Sequence, residues 1–557
     1  MTRVLLIGAA GVFGSRLAAG LARNRFALML AGRDAGRAEV EAATLRRAFP
    51  DVVFEAVALD TRTLTAADLT ATGAQIVVDA AGPFQGAEPR VARASIGAGL
   101  HYVDLADGRD FVAGFPALDA AARAAGVVAL TGASSTPALS NAVLDDLTRG
   151  WRRIDAVEVG ISPGARAPRG PSVTQAILSW LGRPVRIFED GAWRERTGWG
   201  ALTLRDFGPA GTRWLSLCET PDLDILPGRL RPTRGAVFMA GLEPAAAHWC
   251  AWLLARIVAV TGIDVRPLTE AVIGLSGLAA PFGSDRGAMR VEALGVDREG
   301  RGLRAVWTLI APPGIGPVTP GLPALAAVKA IAEGRLAAGA GPCVGLLPLV
   351  DLEREIAMHG IETVTRVERS SLFARAIGPA FDALPEPIRT LHETTGASVW
   401  RGRARVDGAA NPPTALAARL FGFPGASEDA SAEILIEAGR NRSVWRRRIA
   451  GGRFVSRLSS PRSKGRVVER FGPFAFDLTL TPEGETLVYR VAGWRWLGLP
   501  MPRALAPTTR THEAVDGQGR FVFDVEIGLP GLGRMVRYRG WLMRADEHRG
   551  ERGVERA

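Results

Sequence analysis

The residues best suited to chemistry stand at the start of the chain, where Val4-Leu5-Leu6-Ile7 runs into Gly8-Ala9-Ala10-Gly11-Val12-Phe13-Gly14 and then into a helix-like stretch. An apolar strand, a glycine turn and a helix start in that order suit a pyrophosphate. The turn must be tight, the backbone must come close to the phosphates, and the first helical amides must aim at their oxygens. A second apolar run, Phe26 to Leu30, ends in Ala31-Gly32-Arg33. An acidic residue at that point would bond the ribose hydroxyls of NAD, whereas the Arg33 guanidinium suits a 2′-phosphate, so NADP is the expected cofactor. Asp34 is read as the N-cap of a helix beginning near Ala35.

Further strand ends bring other groups to the same edge. The run Val77-Val78-Asp79-Ala80-Ala81 leads into Gly82-Pro83-Phe84, a close-approaching glycine and a stiff proline that suit a wall beside the nicotinamide ribose. His101-Tyr102-Val103-Asp104-Leu105 offers a phenol and a carboxylate. Tyr102 and Asp104 are the candidate catalytic pair, for polarising a substrate or relaying a proton, with a buried hydroxyl and a strand-end cap as the alternative. His101, a lone histidine at a strand start, reads as structural. Gly132-Ala133-Ser134-Ser135-Thr136-Pro137 reads as a helix cap with Pro137 at the first helical position.

The elements that must position these groups alternate. Strands are predicted at Val4 to Ile7, Phe26 to Leu30, Val52 to Leu59, Gln75 to Ala80, His101 to Leu105 and Val127 to Leu130, separated by helical patterns, which predicts a parallel sheet covered on both faces. From about 151 to 370 the pattern is mixed, with a hairpin of Met289 to Val296 and Leu303 to Ile310. The Pro/Gly-rich run Pro312 to Pro323 reads as a connector, with a mobile lid as the alternative. From about 378 the period becomes two, as in Phe474, Phe476, Leu478 and Leu480, and a hairpin turns at Ala450-Gly451-Gly452-Arg453. A curved antiparallel sheet or partial barrel is expected there. The expected division is 1–148, 149–375, 376–545 and a disordered tail at 546–557.

Composition bounds the rest. A chain of 557 residues, 47 % hydrophobic, is long enough for two or three cores. The charge of +11 is carried by arginine, since Lys329 and Lys464 are the only lysines, and no nucleic-acid module accompanies it. Arginines crowd between Arg440 and Arg470, including Arg442, Arg446, Arg447, Arg448, Arg453, Arg457, Arg462 and Arg466. A solvated face is the plainer reading and recognition of an anionic head group the sharper one. Cys218, Cys250 and Cys343 form neither a disulfide framework nor a metal pattern, so no metal and a reducing, cytoplasmic setting are expected. Pro244 to Thr261 carries His248 and Arg256 and reads as a buried or amphipathic helix, not a membrane span. The expected partner is a small-molecule substrate, with peripheral lipid contact and a homodimer left open.

Gly8-x-x-Gly11-x-x-Gly14, Ala31-Gly32-Arg33, Ala81-Gly82-Pro83-Phe84, Gly97-Ala98-Gly99 before His101-Tyr102-Val103-Asp104, and Gly132 to Ser140 together resemble the saccharopine dehydrogenase-like family of NADP-binding oxidoreductases. The resemblance covers the first 145 residues well and runs more loosely to about 370. Trp445, Arg453-Phe454, Glu469-Arg470-Phe471-Gly472-Pro473, Leu497-Gly498-Leu499-Pro500 and Tyr538-x-Gly540 resemble an uncharacterised domain found fused behind such proteins. The resemblance implies a Rossmann-type doubly wound α/β domain, an α+β second domain and a mainly β C-terminal domain. It also implies hydride transfer to or from a C=N, C=C or C=O bond, on amino-acid or lipid-like substrates. The cofactor site it implies comprises Gly8, Ala10, Gly11, Val12, Phe13, Gly14, Arg33, Asp60, Ala81, Gly82, Pro83 and Phe84. No motif for holding an amino-acid carboxylate is present. A short-chain dehydrogenase is excluded because Tyr102 is followed four residues on by Ala106, where that class needs lysine. The rival class is a binding protein whose β-rich domain carries a hydrophobic or anionic ligand.

Overall fold

The computed structural model describes residues 1–168, 170–393, 396–438, 442–460 and 465–545. Contacts divide the chain into two compact units, Met1–Ala293 with Ala305–Arg366, and Leu294–Arg304 with the chain from Val367 onward.

The first unit begins with six parallel strands, β1 (Arg3–Ile7), β2 (Ala27–Gly32), β3 (Phe54–Ala58), β4 (Ile76–Asp79), β5 (His101–Asp104) and β6 (Val128–Thr131). They lie in the order β3-β2-β1-β4-β5-β6, the Rossmann order, and Gly339–Pro342 adds a seventh parallel strand beside β6. Both faces are covered, which is why these strands read as unbroken apolar runs. Val4, Leu6, Val78 and Val103 pack on one side, and Leu5, Ile7, Val77 and Tyr102 on the other. Leu5, Leu6 and Ile7 are almost wholly buried, each worth about 1.5–3 kcal/mol. Helix α1 (Val12–Arg23) packs Leu17, Ala18 and Leu21 onto the first of these faces, and α2 (Ala35–Ala48) follows β2.

The strand order reverses between β1 and β4, so the crevice at their carboxyl ends receives the glycine turn. The Pro/Gly-rich connector folds as a 3-10 turn, Gly316–Gly321, whose Gly321 lies 3.5 Å from Leu17 for an added Cβ. It is packed against α1 and leads directly into the helix Leu322–Ala332.

The rest of this unit is a mixed sheet in the order Thr203–Asp206, Thr212–Leu217, Gly235–Ala240, Arg153–Ser162, Gly287–Val296, Gly302–Ala311 and Glu362–Arg369. The expected hairpin is its fifth and sixth strands. The helix Ala245–Thr261 buries His248, Ala255 and Val258. Its other face, Trp249, Leu253 and Ile257, is exposed, as are Leu275 and Leu278 on the following helix. Among the described residues no helix is long and apolar enough to cross a membrane.

The second unit is an antiparallel barrel. Ten strands follow one another around it: Phe474–Glu483, Arg466–Phe471, Gly452–Ser459, Arg442–Ile449, Ser427–Ala438, Gly396–Asp407, Gly533–Arg544, Phe521–Leu529, Thr508–Val515 and Thr486–Trp496. Pairs such as Leu480 with Tyr489 return the last strand to the first, so the sheet closes completely. Closure pairs the first and last strands of the ring, which a curved open sheet would leave as free edges, and the short strand Leu499–Pro500 pairs beside Thr486–Trp496.

The arginine run alternates as a strand must. Arg442, Arg446, Arg448, Arg453, Arg457, Arg466 and Arg470 lie outside, where Arg446 meets Glu437 and Arg448 meets Glu433. Arg447 alone of those described turns inward among Ser443, Trp445 and Ile449. Arg440, Arg462 and Lys464, like the tail 546–557, lie outside the described residues.

Candidate functional site

The glycine turn is built by contacts that leave no room for side chains. Gly8 sits at φ +80°, its amide donating to the Ala31 carbonyl at 2.9 Å, and a Cβ there would lie 2.8 Å from the Ala80 backbone. A Cβ on Gly14 would lie 2.1 Å from the Gly8 carbonyl oxygen. Gly11 differs. Its φ is −79°, its amide donates to the Gly8 oxygen at 2.9 Å, and an added Cβ meets only that oxygen, at 3.1 Å. Gly8 and Gly14 therefore serve strand and helix packing, while Gly11 is exposed at the N-cap of α1. No side chain caps that helix and no acidic residue stands in its first turn, so its first amides, beside the half-buried Ala10, Val12 and Phe13, are left for an anion.

At the far edge of the turn, Arg33 is exposed after Gly32, and Asp34 caps α2 by accepting from the Gly36 and Arg37 amides at 2.9 and 3.2 Å, as expected. Asp60 follows β3 and is clasped by Arg62, with contacts of 2.6–3.1 Å. That guanidinium, with the Arg62 amide and the field of Arg33, holds its carboxyl down at about 2. Arg62, which the sequence did not single out, thus stands with Arg33 at this edge, its charge balanced by Asp60.

The next two strands end in the same turn. Asp79 and Asp104 lie in register on β4 and β5, and each Oδ1 accepts from the amide two residues on, Ala81 and Ala106, at 2.9 Å. Asp104 also accepts from Thr131 Oγ1 and the Gly132 amide, tying β5 to β6, while its Oδ2 is buried without a partner. Burial raises the Asp79 carboxyl to about 6 and, with Asp79 adding repulsion, Asp104 to about 7. The repeated Val-Asp-x-Ala at 78–81 and 103–106 was the available signal for this pair. Tyr102 is 1 % exposed and stacks on Phe115 at 6.0 Å, with burial driving its hydroxyl well above the usual range. The Phe84 ring is likewise buried, against Phe111 at 5.3 Å, so it contributes packing beneath the loop that Ala81, Gly82 and Pro83 begin.

Other candidates resolve as structure. His101 Nδ1 accepts from the Val128 amide at 3.0 Å. Thr136 is extended (φ −134°, ψ 131°) directly before Pro137, so the proline opens the helical run that continues into Ser140–Leu147, as expected, while Ser134 makes no side-chain cap. Ser216 and His248 resemble a nucleophile and its base, with Nε2 3.0 Å from Oγ and both residues fully buried. However, the Leu242 amide donates to Nδ1, so in the neutral ring Nε2 carries the proton and donates to the serine. Burial depresses this imidazole to about 4, which keeps it neutral. Two further clusters were not foreseen. Arg109, 7 % exposed, is held by Asp224 and Glu219, and Asn141 donates to the buried Asp222 at 3.0 Å. Among the described residues no group of three or more His, Cys, Asp or Glu could hold a metal ion.

A parallel sheet of this order carrying a glycine turn at its reversal point defines a Rossmann-type fold of the kind that serves oxidoreductases. Residues 4–130 match the saccharopine dehydrogenase NADP binding domain and residues 384–542 a domain of unknown function, DUF4166; the chain carries both. Saccharopine dehydrogenase (L-Glu forming) from Saccharomyces cerevisiae is similar at 13 % identity and a TM-score of 0.48, over 66 % of this chain and 100 % of that one. A bulky-bulky ketone specific alcohol dehydrogenase from Comamonas testosteroni matches 19 % of this chain and 54 % of its own at 21 % identity, with a TM-score of 0.16. A short-chain dehydrogenase from Sphingobium yanoikuyae, solved with NADPH, matches 19 % of this chain and 53 % of its own at 24 % identity and a TM-score of 0.15. No curated protein sequence matches the chain.

Proposed function

We propose that the first unit binds NADP(H) and that the protein is an oxidoreductase acting on a C=N, C=C or C=O bond. The observation that carries this reading is the turn from Gly8 to Gly14, whose Gly11 is free of packing duty and open at a helix start without a cap. In this reading the first amides of α1 hold the pyrophosphate, Arg33 and Arg62 take the 2′-phosphate, and Ala81 to Pro83 flank the nicotinamide ribose. Asp60 orients Arg62 and does not itself meet the phosphate. When bound, the cofactor supplies or accepts a hydride at C4 of its nicotinamide ring. Asp104, with Tyr102 beside it, serves as a buried clamp behind the site and does not touch substrate. That burial also favours a second reading, a cofactor-binding protein without turnover. Oxidation of NADPH by a panel of aldehydes, imines and enones separates the two.

NADPH is expected to bind at least about tenfold tighter than NADH, since one charge-assisted phosphate contact is worth about 1.5–3 kcal/mol. Fluorescence titration of both cofactors reads this directly. Arg33→Ala should erase most of the preference, and equal affinities in the unaltered protein would overturn the choice of NADP.

A further inference from the structure

The barrel of the second unit holds a partly open cavity of about 100 Å³. Most of its wall is apolar, from side chains such as Leu458, Leu478, Phe521 and Phe523. Within that wall stand polar and charged groups. Glu513 Oε1 accepts from the Tyr489 hydroxyl at 2.7 Å and Oε2 meets His392 Nε2 at 2.6 Å. His392 is stacked on Phe373 at 3.8 Å, and its Nδ1 is buried without a partner. Arg447, the inward-facing arginine of its strand, donates to Ser456 at 2.8 Å, approaches Glu469 at 3.6 Å and lies over the Trp445 ring at 4.9 Å.

Burying such groups is costly, and a fully apolar interior would be more economical for stability. They come from separate strands and from the helix Glu386–His392, yet Arg447, Glu469, Tyr489 and Glu513 all line the one cavity. Ten strands also enclose more space than the eight whose interior side chains just fill. An apolar cavity of roughly 150 Å³ holds benzene, so this smaller and partly open one takes a short chain, or seats one ring with its edge at the mouth, and not a long acyl tail. Charge narrows the class further. Glu469 and Glu513 face the space already partnered, by Arg447 and by His392 and Tyr489, so among the described residues no free cation is offered to an anion while donors and acceptors remain for a neutral group.

We propose that the barrel is a binding site for a compact apolar molecule bearing one neutral hydrogen-bonding group, an alcohol, phenol or carbonyl, which the Tyr489–Glu513–Arg447 wall orients. The site stands independently of the cofactor reading. It also departs from the sharper reading of the arginine run, an anionic head group, because the remaining described arginines lie outside, where the plainer reading put a solvated face.

The full-length protein is titrated with 4-fluorobenzyl alcohol, 4-fluorobenzoate and 4-fluorotoluene, followed by fluorine NMR. Saturable binding of the alcohol is expected, with benzoate at least about tenfold weaker. Tyr489→Phe, which removes one hydroxyl and keeps the shape, should weaken the alcohol several-fold and leave fluorotoluene unchanged. Val525→Phe, which fills the cavity, should weaken all three probes that bind. No saturable binding of the alcohol, benzoate binding as tightly as the alcohol, or alcohol binding indifferent to Tyr489→Phe would each overturn the proposal, whether or not the filled variant folds.

Discussion

Alanine at Gly11 and alanine at Gly14 should fail in opposite ways. At Gly14 the new methyl would stand 2.1 Å from the Gly8 carbonyl oxygen, between a helix and a strand that are both fixed by the core. Neither can yield, so Gly14→Ala should destabilise the first unit by about 3 kcal/mol or more. At Gly11 the backbone is one any residue adopts and the methyl meets only the Gly8 oxygen at 3.1 Å. Gly11→Ala should therefore keep its circular dichroism and lie within about 1 kcal/mol of the parent in stability. Its NADPH affinity should fall roughly a hundredfold, about 2.7 kcal/mol, because the methyl occupies the path of the pyrophosphate. Thermal unfolding and fluorescence titration of the two variants check this. A folded Gly11→Ala that binds NADPH normally would return the whole turn to a packing role.

Asn in place of Asp104 should flatten the stability of the first unit against pH. The folded carboxyl titrates near 7 against an ordinary 3.8, raised by burial above all. A pKa raised by folding means that the folded state holds the proton more tightly. Its contribution is complete below about pH 4 and is lost as pH rises through 7. Between pH 5 and pH 8 this one group should cost the protein about 2.5 kcal/mol. Asp104→Asn keeps an acceptor for Thr131 and the amides of Ala106 and Gly132, and carries no charge at any pH. The variant should lose that much less stability over the same interval, retaining the slope from other buried carboxyls such as Asp79 and Asp222, which titrate near 6. Denaturant unfolding at pH 5, 6.5 and 8 measures it. Parallel slopes for parent and variant would show that Asp104 is ionised and well solvated.

The parallel sheet was legible because strands buried on both faces must be apolar throughout, and Val4 to Ile7 and Ile76 to Val78 are. The glycine turn was legible because only glycine fits where a Cβ would stand within 3 Å of another backbone. Even so, the chain alone did not separate Gly14, which packs, from Gly11, which is open, since that depends on where the Gly8 carbonyl points. Asp34 was recognised as a cap because the partners of a cap are local. Asp79 was passed over because its neighbour Asp104 is 25 residues away, brought alongside only by parallel register.

What the sequence by itself determined, then, is whatever rests on local backbone chemistry and periodicity: the strand, turn and helix of the first 23 residues, the cationic Arg33, and the period-two region beyond 378. Tertiary structure alone decided the rest. It added Gly339–Pro342 to a sheet begun at Arg3, and closed the last ten strands by pairing Phe474–Glu483 with Thr486–Trp496. It also chose Arg447 out of a run of arginines to face inward beside Glu469 and Glu513. Long-range pairing, burial and which face of a strand meets the core are properties of elements brought together from distant parts of the chain, and periodicity carries no record of which ones meet.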